Sequence, residues 1–264
     1  MTSKNRATLT VTTLFALALV LLVPARRAHA EEARVAVASN FVGPMRKLSA
    51  EFTKRTGHTT VVVSGATGKL YAQIKNGAPF DMLLAADEKT PRQLEADGLA
   101  APNESFTYAV GKLVLFSPKT NFVKDGPALL RAGSFEHLAI ANPKLAPYGS
   151  AAVAVMTKLG VFEALSPKLV QGENIAQTLQ FVESGSAEVG FVAWSQILEG
   201  GKPRAGSYWL VPESLYPPIL QDAVVLRRAS KNRAANAFAA FLKTDVALRV
   251  ISEAGYATPS KAKE

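Results

Sequence analysis

The stretch Val61-Val62-Val63-Ser64-Gly65-Ala66-Thr67-Gly68-Lys69-Leu70 constrains this chain most. A run of β-branched residues ends in small hydroxyl and glycine residues, and a helical spacing of apolar residues begins at once. A strand that turns directly into a helix leaves the helix's first N–H groups without partners of their own. They point beyond the strand's C-terminal end, where the helix dipole favours negative charge. Val35-Ala36-Val37-Ala38-Ser39-Asn40-Phe41 shows the same grammar earlier in the chain. Two such turns converging on one point would make a seat for a small oxyanion.

The surrounding pattern predicts how these turns are mounted. Ala33 to Ala38 reads as a strand, and Met45, Leu48 and Phe52 mark a helix that stops at Gly57. Thr59 to Val63 is the next strand, followed by a helix whose apolar stripe begins at Leu70 and Ile74. Asp81 to Ala86 is a third strand, with a helix over Pro91 to Asp97. This β-α-β-α-β-α order predicts an α/β fold with a largely parallel sheet and helices on both faces. Phe106 to Phe116 is a long extended run interrupted by Gly111, a passage into a second lobe. There Leu138 to Ala141, Lys168 to Gln171 and Val189 to Ala193 are strand candidates, with helices over Tyr148 to Leu159 and Ile175 to Glu183 between them. Asp222 to Arg227 reads as a returning strand, before final helices over Ala234 to Leu242 and Val246 to Ala254. No repeat or Gly/Pro/Ser-rich linker separates the halves, so the lobes are expected to be joined by strands that cross between them. That places lobe I at residues 31–110, completed by 222–264, and lobe II at 111–221.

The N-terminus bears on compartment. Lys4 and Arg6 form a basic region, Val11 to Val23 an apolar core, and Ala28-His29-Ala30 an A-x-A cleavage site. Residues 1–30 therefore read as a cleaved signal peptide; a retained anchor is the alternative, opposed by the lack of a stop-transfer pattern. With no cysteine in the chain, disulfides, thiolate metal sites and a cysteine-borne lipid anchor are excluded. Formal net charge is +9, and cleavage would remove Lys4, Arg6, Arg26 and Arg27 with no acid, leaving +5. The remaining basic residues are scattered, apart from Arg227-Arg228 and Lys231 to Arg233, and no aromatic residues interleave them. Nucleic acid is therefore not an expected partner.

Enzyme motifs are lacking. Gly65 to Lys69 has a superficial likeness to a phosphate-binding P-loop. That motif needs glycine six residues before the lysine and Ser or Thr after it, where this chain has Val63 and Leu70. No serine sits in G-x-S-x-G, and His58 and His137 lack ligand-spaced or nucleophile-spaced partners, so both read as solvated turn residues. Asp81 and Asp87 would be held roughly 20 Å apart by an intervening strand, too far to share one reacting bond. They read as residues that begin and end that strand.

Longer strings carry a resemblance. A-S-N-F follows the first strand and S-G-A-T-G-K-L-Y-A-Q-I the second, and G-A-P-F-D-M-L-L-A-A-D surrounds the third. A-N-P-K-L-A-P-Y-G, L-S-P-K-L-V-Q-G-E-N-I-A-Q-T-L and V-E-S-G-S-A-E-V-G-F-V-A follow in the second lobe. In this order and spacing the chain resembles the molybdate-binding proteins that serve ABC transporters in the bacterial periplasm. The resemblance spans essentially residues 31–264.

That resemblance implies a type II periplasmic binding protein fold, in which two α/β lobes close over one oxyanion. It implies a monomeric periplasmic receptor for molybdate, and for tungstate, that delivers its ligand to a membrane permease. It implies no enzyme activity and no cofactor, molybdenum entering only as the bound oxyanion. Carried over residue by residue, Ser39 matches the hydroxyl residue of the first turn and Asn40 an additional donor found in one branch of the family. Thr67 matches the Ser or Thr that opens the second helix. Tyr148 and Ile175 fall where the family offers main-chain N–H groups from the other lobe. A tyrosine hydroxyl used by a second branch is replaced here by Ala193, which leaves the role of the adjacent Trp194 open. Lys69 reads as solvated. The nearest rival within the binding class is a sulfate or phosphate receptor. Protonated phosphate needs an acceptor, and Glu173 is the acid close to the proposed shell.

Overall fold

Strands that are apolar at successive positions need cover on both faces, and helices placed between strands supply it. The computed structural model of the protein describes residues 30–259. The signal-peptide reading of residues 1–30 lies, apart from Ala30, outside the described residues. Strand β1 (Glu32–Ala38) ends in a short 3₁₀ turn, Ser39–Phe41, that runs straight into helix α1 (Val42–Thr56). Helix α1 buries Met45, Leu48 and Phe52, and stops where Gly57 takes the left-handed conformation and donates its N–H to Thr53 O. Strand β2 (Thr59–Gly65) leads through Ala66 into α2 (Thr67–Lys75), and β3 (Met82–Leu84) is followed by α3 (Lys89–Ala96) and β4 (Phe106–Gly111).

After Lys112 come β5 (Leu113–Ser117), α4 (Gly126–Ala132), β6 (Leu138–Ala141), α5 (Pro147–Lys158) and α6 (Phe162–Leu165). Then follow β7 (Leu169–Gly172), α7 (Ile175–Glu183), β8 (Val189–Ala193), and a small hairpin of β9 (Leu198–Glu199) and β10 (Lys202–Pro203). Strands β11 (Ser207–Leu210) and β12 (Ile219–Val225) precede α8 (Arg233–Leu242) and α9 (Asp245–Glu253).

Two five-stranded sheets result, with orders β2-β1-β3-β12-β4 and β7-β6-β8-β5-β11. Written this way, the two orders are the same. In each sheet the first three strands are parallel and one strand runs against its neighbours, β12 in the first and β5 in the second. Both reversed strands are the first ones laid down after the chain changes sheets: β5 directly after Lys112, β12 after the segment that follows β11. The parallel strands β1 and β2 end on the same side of their sheet, as β6 and β7 do on theirs, and each of these four ends opens into a helical turn or a loop leading to one. Val35, Val37, Met82 and Leu84 pack with Phe41, Phe52 and Phe238 on one face of the first sheet, and Leu70, Leu83 and Leu94 on the other. In the second lobe Leu138, Ile140 and Phe191 pack against α5 through Ala152 and Val155.

Several local expectations need correction. Strand β3 is three residues long rather than six, because Asp81 turns to accept from Arg34 N (2.7 Å) and Asp87 to cap Thr90 N (2.7 Å). The returning strand starts at Ile219 rather than Asp222. His58 is not simply solvated: its Nδ1 accepts from Glu31 N at 3.0 Å and its ring stacks on Phe52. The edge strand β11 and helix α4 carry no strong periodic signal and were not expected.

Gly149, in the first turn of α5, has a packing reason. A Cβ there would lie 2.1 Å from the Ala141 carbonyl oxygen at the end of β6, which is main chain and has little room to move. Alanine would gain about 1 kcal/mol in helix propensity, against about 1–3 kcal/mol of overpacking. Because the contact is with main chain, Gly149→Ala is expected to lower the midpoint of urea unfolding, by up to about 2 kcal/mol in stability. A raised midpoint would show that helix and strand do not meet this closely.

Candidate functional site

All five residues singled out from the sequence line one recess between the lobes: Ser39, Asn40 and Thr67 from the first, Tyr148 and Ile175 from the second. Its volume is ≈ 10 Å³, on the order of a single water-sized sphere. None of the described residues lining it is charged. What it offers is a set of helix starts. Thr67 opens α2, Tyr148 is the second residue of α5, and Ile175 opens α7. Asn40 sits in the 3₁₀ turn after β1. Main-chain N–H groups in these first turns have no partner within their own helices, and the dipoles add positive potential at the same place.

Local sequence keeps those donors available. Pro147 occupies the first position of α5 and has no N–H, so Tyr148 supplies the first one. Asn174 caps α7 through Oδ1, which accepts from Ala176 N (2.9 Å) and Gln177 N (3.1 Å), leaving the N–H of Ile175 uncapped. Thr67 Oγ1 accepts from Ala86 N at 3.0 Å. That bond fixes the oxygen while leaving the hydroxyl proton free to donate. The Ser39 hydroxyl has no protein partner among the described residues.

The Asn40 side chain is taken up within the protein. Its Nδ2 donates to Gln221 Oε1 (3.0 Å) and Tyr256 Oη (2.9 Å), so both amide protons are spent behind the recess. What Asn40 brings to the recess is its main-chain N–H. The partners behind it were not visible in the sequence. Gln221 also joins Tyr108 and Tyr148, and Tyr256 also joins Ser195. Burial raises the pKa of Tyr108 and of Tyr148 well above the ordinary tyrosine range and that of Tyr256 to about 12, so these hydroxyls keep their protons. Asn174 was also missed, although an asparagine immediately before an apolar helical run is a cap signal.

Lys69 and Glu173 are turned to each other rather than into the recess. Lys69 Nζ lies 3.0 Å from both carboxylate oxygens, joining α2 of the first lobe to the loop before α7 of the second. Lys69 is therefore ion-paired as well as half-exposed, and Glu173 supplies no acceptor to the recess. Gly68 N bonds to Leu145 O (2.9 Å) across the same gap. Trp194 has a packing role: its ring meets Tyr208 with centroids 5.2 Å apart, and its N–H backbone group donates to Lys112 O.

A larger cleft of ≈ 490 Å³ opens beside the recess. Size favours the cleft as a ligand site, but chemistry favours the recess. The cleft wall carries Glu88 and Asp87, whose carboxyl is pushed above the usual aspartate range by burial, against the lowering effect of its bonds to Thr90. Lys89 and Lys144 line the same cleft, so its charges balance, and it lacks the converging helix starts of the recess. Among the described residues, no group of three or more His, Asp or Glu could hold a metal ion.

A profile of bacterial extracellular solute-binding proteins matches residues 33–257. The molybdate-binding protein ModA of Azotobacter vinelandii is 52% identical over 229 residues, 87% of this chain and 91% of that protein. The ModA of Rhodobacter capsulatus is 48% identical over 246 residues, 93% of this chain and 95% of that one. Among solved structures, the Azotobacter vinelandii periplasmic molybdate-binding protein is similar with a TM-score of 0.84 and 39% identity, covering 86% of this chain and 100% of that chain. The sulfate-binding protein SubI from Mycobacterium tuberculosis shares the fold, with a TM-score of 0.72 at 14% identity over 86% of this chain and 87% of that one. The architecture is thus the two-lobed α/β fold of periplasmic binding proteins.

The ion pair across the lobes generates a prediction. Both side chains are about half exposed (49% and 47%), and such pairs contribute about 0–1 kcal/mol. Lys69→Ala and Glu173→Gln should each change oxyanion affinity by less than about fivefold. Abolished binding in the lysine variant would mean that the site depends on a direct counterion.

Proposed function

This chain belongs to the bacterial extracellular solute-binding protein family, in its ModA branch, and from that premise we propose that it captures molybdate in the periplasm for an ABC transporter. It is a binding protein and not an enzyme. Tungstate, of the same charge and shape, is the second ligand, and the loaded receptor hands either one to the membrane permease. The observation that carries this reading is the convergence of four helical starts from two lobes on one recess with no charged lining.

The energetics fit a dianion. Hydrogen bonds to a charged group contribute about 1.5–3 kcal/mol each, so several neutral donors can offset the loss of hydration. Without a fixed counterion, the seat holds its ligand only while donors from both lobes face it. The ligand therefore favours the closed state, and opening releases it. In this account residues 31–110 with 222–264 move against residues 111–221, about hinges at 106–111 and 217–222. Residues 1–30 direct export and are removed, and the receptor works as a monomer. Phosphate is disfavoured as the ligand because its proton needs an acceptor and Glu173 is occupied by Lys69. Sulfate is disfavoured by the identity to ModA proteins, since likeness to a sulfate-binding structure at 14% extends to fold alone.

Calorimetric titration of the protein purified without residues 1–30 is the test. Molybdate and tungstate should bind tightly, and sulfate and phosphate far more weakly; tighter binding of sulfate than of molybdate would overturn the assignment. Thr67→Ala should weaken molybdate binding roughly ten- to a hundredfold, because it removes a donor worth about 1.5–3 kcal/mol. A Thr67→Ala affinity equal to wild type would exclude the hydroxyl from the ligand shell.

A further inference from the structure

Gln221 is fully buried on β12, the first strand after the chain returns to the first lobe. It does not line the recess. The pairing of β12 with β4 slips between Gln221 and Asp222, and an irregularity of this kind re-aims a side chain. The opposite strand has been cleared for it. A Cβ on Gly111 would fall 2.2 Å from Tyr148 Oη and 2.6 Å from Gln221 Nε2.

In that space one side-chain amide reaches both lobes. Oε1 accepts from Asn40 Nδ2 (3.0 Å) and Tyr108 Oη (3.1 Å), both of the first lobe. Nε2 donates to Tyr148 Oη (3.1 Å), of the second. Asn40 is held at a further point, because Tyr256 Oη donates to its carbonyl oxygen at 2.8 Å. Asn40 and Tyr148 line the recess from the first and the second lobe.

We propose that Gln221 is a positioning residue for the bound oxyanion: by gripping Asn40 and Tyr148 through one amide, it sets the spacing of donors that belong to different lobes. The hinge strand thereby acts on the site without touching the ligand. The proposal rests on the reading of the recess as the molybdate seat.

The test is a double-mutant cycle on molybdate affinity with wild type, Gln221→Met, Tyr148→Phe and the double variant, each with its unliganded melting temperature measured. Tyr148→Phe, which loses one buried hydrogen bond, should bind molybdate about tenfold more weakly, and Gln221→Met, which loses that bond and those to Asn40 and Tyr108, at least as weakly. The double variant should be no weaker than the weaker single, because both changes break the same link. Losses that multiply in the double variant would mean two independent injuries to the fold, and would overturn the positioning role. So would wild-type affinity in Gln221→Met. If Gln221→Met does not fold, Tyr148→Phe decides alone. A tenfold loss without a change in unliganded melting temperature supports the proposal, and unchanged affinity overturns it. A wild-type protein that bound none of molybdate, tungstate, sulfate and phosphate would remove the seat itself, and the proposal with it.

Discussion

The first N–H groups of a helix cannot be satisfied within it, and in this protein four helical starts leave such groups facing one small space. Proteins usually close helix starts with a capping side chain or with water. Here the capping is incomplete in a specific way. Asn174 serves the second and third residues of α7 but not Ile175, Pro147 removes the first donor of α5 without replacing the second, and α2 begins without a side-chain cap. Each start is held in register by something other than a cap. Ala86 N holds Thr67, Gln196 Nε2 donates to Ile175 O at 3.0 Å, and the Gln221 network holds Asn40 and Tyr148. Each start is thus held in place by protein neighbours, which lowers the ordering cost of binding beyond the closure of the lobes.

The topology explains why donors come in two pairs. Strand orders β2-β1-β3-β12-β4 and β7-β6-β8-β5-β11 are equivalent, so β1 and β2 correspond to β6 and β7. The turns after these four strands carry Ser39 with Asn40, Thr67, Tyr148 and Ile175. Ligands of open α/β sheets bind beyond the carboxyl ends of the strands. Two such sheets facing each other place two of these edges around one point. The reversed strands β5 and β12 belong to the same logic, since each lies beside the last strand laid down before a crossing.

Much of this was legible in the chain. The β-branched run ending in Ser64-Gly65-Ala66-Thr67, and its counterpart ending in Ser39-Asn40, identify the turns from local pattern alone, and Ile175 to Glu183 was bounded correctly because its apolar spacing is strong. Helix α4 was missed because seven residues carry little periodicity. Edge strand β11 was missed because Tyr208 and Leu210 face outward, 40% and 41% exposed, and leave no buried stripe to read. Gln221, Tyr108, Tyr256 and Ser195 were illegible for a different reason. They join one network with Asn40 and Tyr148 across as many as 216 positions of sequence, and no local spacing encodes such contacts. The same holds for the pairing of Lys69 with Glu173. The resemblance offers Asn40 as a donor without naming an atom, since family likeness locates a residue without saying where its amide points.

The central claim is that main-chain N–H groups of helical first turns, rather than charged side chains, hold the ligand. An amide-proton NMR titration with molybdate addresses it directly. The amides of Asn40, Thr67, Tyr148 and Ile175 should move strongly downfield on binding, as expected for protons donated to a dianion, while the Lys69 ammonium changes little. Large shifts confined to lysine and arginine side chains, with those four amides unmoved, would contradict it.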